Sequence, residues 1–172
     1  MDEVTEQNQD IPIEVGTIEF LPLAELEPGR RVPDFSLYTA GGKTQQLSDF
    51  YGKYLLLTFY SVTSEDENPD DNFAYLKRIQ DDFTGIGDFE MLDFTFGGFP
   101  LLETMAETYL SGYGVKVKQG FIDGRNYELM KTFNPQNWPR GVLMAPDGTL
   151  IAVGLKGDEL YEIVSQSLAN GE

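Results

Sequence analysis

Oxygen-bearing side chains crowd one stretch of this 172-residue chain, where residues 64–71 read Ser-Glu-Asp-Glu-Asn-Pro-Asp-Asp. Hard cations take clustered oxygen ligands, so a calcium loop is the first chemistry to test. An EF-hand frame started at Asp66 finds Asn68 and Asp70 at the right spacing. The frame then fails, because Asp71 replaces the required glycine and Lys77 stands where the bidentate glutamate belongs. Asp66, Asn68 and Asp70 therefore stay candidates only for an irregular cation site, and no metal or cofactor is expected. The structural reading of the same residues is stronger. Ser64 and Glu67 form an S-x-x-E capping box, while a second register makes Asn68 the N-cap with Pro69 at the first helical position. Carboxylate pairs for glycoside hydrolysis are not singled out by any spacing.

Nucleophilic and redox chemistry lose their usual reagents. The chain has Cys 0 and His 0, which removes disulfides, thiolates and sulfur-ligated metals, and with them the commonest general base. A Ser-His-Asp arrangement is excluded, and no catalytic residue is assigned. With 29 acids against 12 bases the formal charge is -17, so nucleic acid and anionic membrane surfaces are repelled. A soluble, salt-tolerant surface is the plain reading of that charge. No run approaches the roughly 18 apolar residues of a membrane span, so no membrane insertion is expected. No basic and apolar leader opens the chain.

Apolar residues make up 41% of the chain, including 12 Phe, enough for one folded domain burying roughly two thirds of its unfolded surface. Residues 1–10 read as a flexible tail and 11–170 as the domain. Residues 11–26 suggest an extended segment against the sheet, punctuated by Pro12 and Pro22. Residues 34–47 form a hairpin candidate around Gly41-Gly42. The continuous apolar run 53–60 predicts a buried parallel strand, followed by a helix with Phe73, Leu76, Ile79 and Phe83 on one face. Residues 89–96, rich in Phe and nearly without polar relief, predict a second strand covered on both faces. A second helix carries Met105, Ala106, Tyr109 and Leu110, stopped at Gly112 and Gly114. A short extended piece at 115–122 and a short helix at 127–133 follow. Two strands joined at Pro146-Asp147-Gly148 form a hairpin, and Leu160, Ile163, Val164 and Leu168 mark a last helix. The expected class is α/β with a parallel centre.

Three stretches carry a family resemblance. Residues 32–37 (Val-Pro-Asp-Phe-Ser-Leu), 47–60 (Leu-Ser-Asp-Phe-Tyr-Gly-Lys-Tyr-Leu-Leu-Leu-Thr-Phe-Tyr) and 138–148 (Trp-Pro-Arg-Gly-Val-Leu-Met-Ala-Pro-Asp-Gly) come in family order and spacing. Together they resemble the thioredoxin-like superfamily, in particular TlpA/ResA-like and AhpC/TSA-type redoxins, over roughly residues 29–168. The resemblance implies a three-layer α/β/α sandwich with a mixed central sheet, an N-terminal extension and a hairpin. Members place a Cys-x-x-Cys or a peroxidatic cysteine at the start of the helix after the central strand. Here Ser64 and Glu67 stand at those positions, and a serine hydroxyl without a base does not replace a thiolate. Trp138-Pro139 matches the family's cis-proline position, which in redox members faces the helix start and offers backbone groups to an extended partner. With Tyr60 at the end of the central strand, these residues make a candidate binding groove. Trp138 is the sole tryptophan, a residue type enriched at binding hot spots.

Two readings follow. One is a redox-inactive domain used as a binding or structural module for a protein or peptide partner, extracytoplasmic as TlpA/ResA-like relatives are. The alternative is a divergent redoxin-family enzyme using non-thiol chemistry or a cation.

Overall fold

The computed structural model describes residues 26–40, 42–60, 69–96, 100–133 and 140–170. The expected tail at 1–10 and most of the expected extended segment at 11–26 lie outside those residues. Seven strands form one sheet: β1 (Ser36–Thr39), β2 (Lys43–Gln46), β3 (Tyr54–Tyr60), β4 (Phe89–Phe96), β5 (Lys118–Ile122), β6 (Arg140–Met144) and β7 (Leu150–Leu155). Their order across the sheet is β2-β1-β5-β4-β3-β6-β7. The centre β5-β4-β3 is parallel, as the two strand-to-helix units require. Each flank is an antiparallel hairpin, so the sheet is mixed.

Alternation along the strands divides the core into two layers. Leu55, Leu57, Phe59, Leu92, Phe94 and Ile122 face one side, against Leu129 of α3 (Tyr127–Phe133) and the 3-10 helix Leu47–Phe50. Leu56, Tyr60 and Met91 face the other. There they meet α1 (Pro69–Phe83) through Phe73, Leu76 and Ile79, α2 (Pro100–Gly112) through Ala106 and Leu110, and α4 (Gly157–Ala169) through Leu160 and Val164. Helices on both faces give the three-layer sandwich.

Local chemistry sets the joints. α1 is described from Pro69 onward, and residues 61–68, on which both capping registers rest, lie outside the described residues. The β6–β7 turn puts Gly148 at φ +82°, where a Cβ would meet the Tyr51 ring at 2.7 Å. Gly120 of β5 serves a different purpose. A Cβ there would sit 2.3 Å from Phe94 Cε1 and 2.9 Å from the Tyr38 carbonyl oxygen, so the bare backbone lets β1 close against the sheet. That seam is held by buried Asn126, whose Oδ1 accepts from Tyr38 N at 2.9 Å. Its Nδ2 donates to the Tyr38 and Phe121 carbonyls at 2.9 and 2.7 Å.

Candidate functional site

Three connections leave from one end of the sheet. β3 ends at Tyr60, which is paired with Thr95 near the end of β4, and β6 begins at Arg140, which is paired with Phe59. The segments 61–68, 97–99 and 134–139 are thus anchored within one or two residues of each other on neighbouring strands. The carboxyl ends of parallel strands are where open α/β sheets present their ligand sites. Of the candidate residues, Ser64, Asp66, Glu67, Asn68, Trp138 and Pro139 lie outside the described residues. Asp70 falls in the first turn of α1, its side chain also outside them. Tyr60 is placed, and it is buried at 6% exposure rather than open to a groove. Among the described residues no group of three or more acidic side chains is arranged to hold a metal ion.

Beneath that end lies a polar cluster inside the apolar layer. Thr58 and Tyr60 are paired in register with Asp93 and Thr95 of β4, and Asp93 is paired with Gln119 of β5. Since side chains repeat every second residue along a strand, all five project to the same face, under α1 and α2. All are buried, with Asp93 and Thr95 wholly so. The Thr58 hydroxyl lies 2.6 Å from Asp93 Oδ1 and 3.4 Å from the Leu92 carbonyl oxygen. Gln119 Nε2 donates to the Tyr60 hydroxyl at 3.2 Å, and that hydroxyl points at the Ala106 carbonyl of α2 across a long 3.5 Å. Among the described residues, Asp93 Oδ2 and Thr95 Oγ1 have no hydrogen-bond partner.

Burial governs the electrostatics. Desolvation pushes the Asp93 carboxyl up to about 7, against a smaller opposing pull from the Thr58 hydrogen bond. Tyr60 is raised well above its ordinary value by burial and then by the Asp93 charge. The neighbouring Thr95 and Gln119 side chains pull it the other way. Thr58 is 4% exposed, so no substrate reaches its hydroxyl, and the cluster offers no accessible nucleophile.

The expectation that residues 89–96 are nearly without polar relief is corrected by Asp93 and Thr95, both wholly buried. The signal was present, since Thr58, Tyr60, Asp93 and Thr95 fall at alternate positions of two apolar runs, which puts each pair on one face.

No protein-family model and no curated protein matches the chain. Solved structures do share its fold. The thioredoxin domain of a thiol-disulfide oxidoreductase from Bacteroides vulgatus superposes with a TM-score of 0.68 at 20% identity, covering 83% of this chain and 98% of that one. A thiol-disulfide oxidoreductase from Bacteroides fragilis gives 0.66 at 24% identity over 80% of this chain and 98% of its own. A thiol:disulfide interchange protein from a Bacteroides species gives 0.67 at 20% identity over 82% and 90%. The fold is therefore thioredoxin-like, as the three sequence stretches imply. At these identities the likeness concerns the fold, and function rests on the site. The proteins named for thiol-disulfide chemistry have this chain's frame, yet this chain contains no cysteine with which to perform it.

Proposed function

We propose that this protein is a thioredoxin-like domain without thiol-disulfide chemistry that acts as a binding or structural module. The observation that carries the reading is the absence of any cysteine from a chain with this fold. Reductase and thiol-peroxidase reactions both need a sulfur that attacks and is then resolved. Serine, glutamate and methionine do not supply one. The docking surface in this reading is the sheet end where segments 61–68, 97–99 and 134–139 are anchored. In this reading Trp138 and Pro139 contact an extended protein or peptide segment there, with Ser64 and Glu67 at the former redox positions. The charge of -17 favours partners other than nucleic acid. No helix among the described residues is long and apolar enough to cross a membrane. The TlpA/ResA-like resemblance supports an extracytoplasmic place of action.

The test is a screen of extended peptides on the immobilised full chain, repeated with Trp138→Ala. Loss of an aromatic anchor should weaken capture by about 2 kcal/mol, or about thirtyfold, with the circular-dichroism spectrum unchanged. Equal capture by a folded Trp138→Ala chain would remove the groove from the proposal.

A further inference from the structure

Asp93 is the only carboxyl group among the buried residues described, and its surroundings suit one protonation state better than the other. In the ionised state Oδ1 accepts the single Thr58 proton and Oδ2 accepts nothing from the described residues. That state leaves a buried anion without a cation, an arrangement that proteins avoid by taking up a proton. In the neutral state a proton on Oδ1 is donated across the 2.6 Å contact to Thr58 Oγ1, which turns its own proton to the Leu92 carbonyl 3.4 Å away. The neutral acid thus completes a relay that ends on the backbone, and Oδ2 becomes a carbonyl oxygen, far cheaper to leave unpaired than a charge.

The described groups facing Asp93 offer no counter-charge. From β3 come Thr58 and the titratable Tyr60 phenol, from β4 Thr95, and from β5 Gln119. α1 contributes Phe73, edge-on to Tyr60 with ring centroids 5.0 Å apart. α2 contributes Ala106, and its charged Glu107 is exposed. Among the described residues, burial and the Thr58 hydrogen bond set the titration of Asp93, and no lysine or arginine takes part.

The described contacts that hold the cover over this cluster are mostly apolar, among them Tyr109 of α2 stacked on Phe73 of α1 with ring centroids 6.1 Å apart. Among its described residues α2 buries Ala106 and Leu110, and its polar tie to the cluster is the 3.5 Å contact from Tyr60 to the Ala106 carbonyl. Along the flank of α2 runs a groove of about 240 Å³ whose lining includes Glu107, Leu110, Ser111, Val117 and Gln119. Gln119 is the residue that joins this groove to the cluster, since its Nε2 is bonded to Tyr60.

We infer that α2 is a proton-linked cover: it closes over a neutral Asp93 and, on opening, releases the proton and joins the flanking groove to the Tyr60–Asp93 cluster. This device is independent of docking at the sheet end. The linkage has a definite sign. Asp93 titrates near 7 when covered and near 4 when wetted, so closure is favoured fully below about pH 4 and loses ground as pH rises to about 7. Opening should grow by up to about tenfold per pH unit across that window and level off above it.

Hydrogen exchange of the full chain, read by mass spectrometry and corrected for the intrinsic pH dependence of exchange, tests this. Between pH 5.5 and 7, peptides from α2 should lose protection by about fifteenfold while those from β3 and α4 hold theirs, and Asp93→Asn should abolish the change. PH-independent protection of α2, an equal loss throughout the molecule, or an unchanged pH response in Asp93→Asn would overturn the inference. Should Asp93→Asn not fold, infrared titration of the wild-type protein decides. A protonated carboxyl at pH 6 that ionises near pH 7 is expected, and its absence overturns the proposal.

Discussion

Gly120→Ala adds a single methyl group at the point where β5 passes between β1 and β4, and it should be among the costliest small changes in the molecule. The new Cβ would lie 2.3 Å from Phe94 Cε1 and 2.6 Å from Cδ1, and 2.9 Å from the Tyr38 carbonyl oxygen. Ordinary carbon contacts need about 3.5 Å, so the ring must retreat by more than about 1 Å. Phe94 has nowhere to go, being fully buried and packed on Phe59 with centroids 6.0 Å apart. Overfilling a packed core costs about 1–3 kcal/mol. With a ring and a backbone carbonyl both in the way, we expect about 3 kcal/mol. For a chain of this size that lowers Tm by about 6–12 °C. Urea unfolding gives the free energy directly, provided the slope is unchanged. A double-mutant cycle identifies the cause: Phe94→Leu should relieve the clash, so the pair should cost at least about 1 kcal/mol less than the sum of the singles. A Gly120→Ala chain within about 0.5 kcal/mol of wild type, or strict additivity with Phe94→Leu, would refute the close-approach argument.

The Asn126 seam gives two further outcomes, checked by the same unfolding curves. Asn126→Ala strands the Tyr38 N–H and the Tyr38 and Phe121 carbonyls that the side chain now satisfies, and should cost about 3 kcal/mol. Asn126→Asp keeps the shape but turns a carboxylate toward two carbonyl oxygens, so its cost should exceed that of the alanine at pH 8 and shrink as the pH is lowered.

Much of the architecture is written in local pattern. The apolar run of β3 passing into the Phe73–Leu76–Ile79 face of α1 specifies a strand covered by a helix, and the structure has that unit. The Pro146-Asp147-Gly148 turn names its own hairpin, with Gly148 in the left-handed region. Pattern is silent where an interaction spans the sequence. Asn126 meets Tyr38 across 88 positions, and no periodicity marks an asparagine as a seam. Asp93 is a subtler case. Its alternation with Thr95 was visible, but a strand rich in Phe invites an apolar reading, and only the register with Thr58 and Gln119 reveals a shared polar cluster. Tyr60 was expected in a groove because it ends β3. Packing with Phe73 and Gln119 draws it inward instead.

The proposal that this frame works without thiol chemistry is tested most directly by insulin-disulfide reduction. Purified, metal-free full-length protein is mixed with insulin and dithiothreitol, and turbidity is followed beside a protein-free control and a cysteine-bearing thioredoxin. A thiolate is the species that attacks a disulfide, and none of these 172 residues can form one. The expected result is a rate equal to the protein-free control at every protein concentration. A rate that rises in proportion to added protein would contradict the proposal.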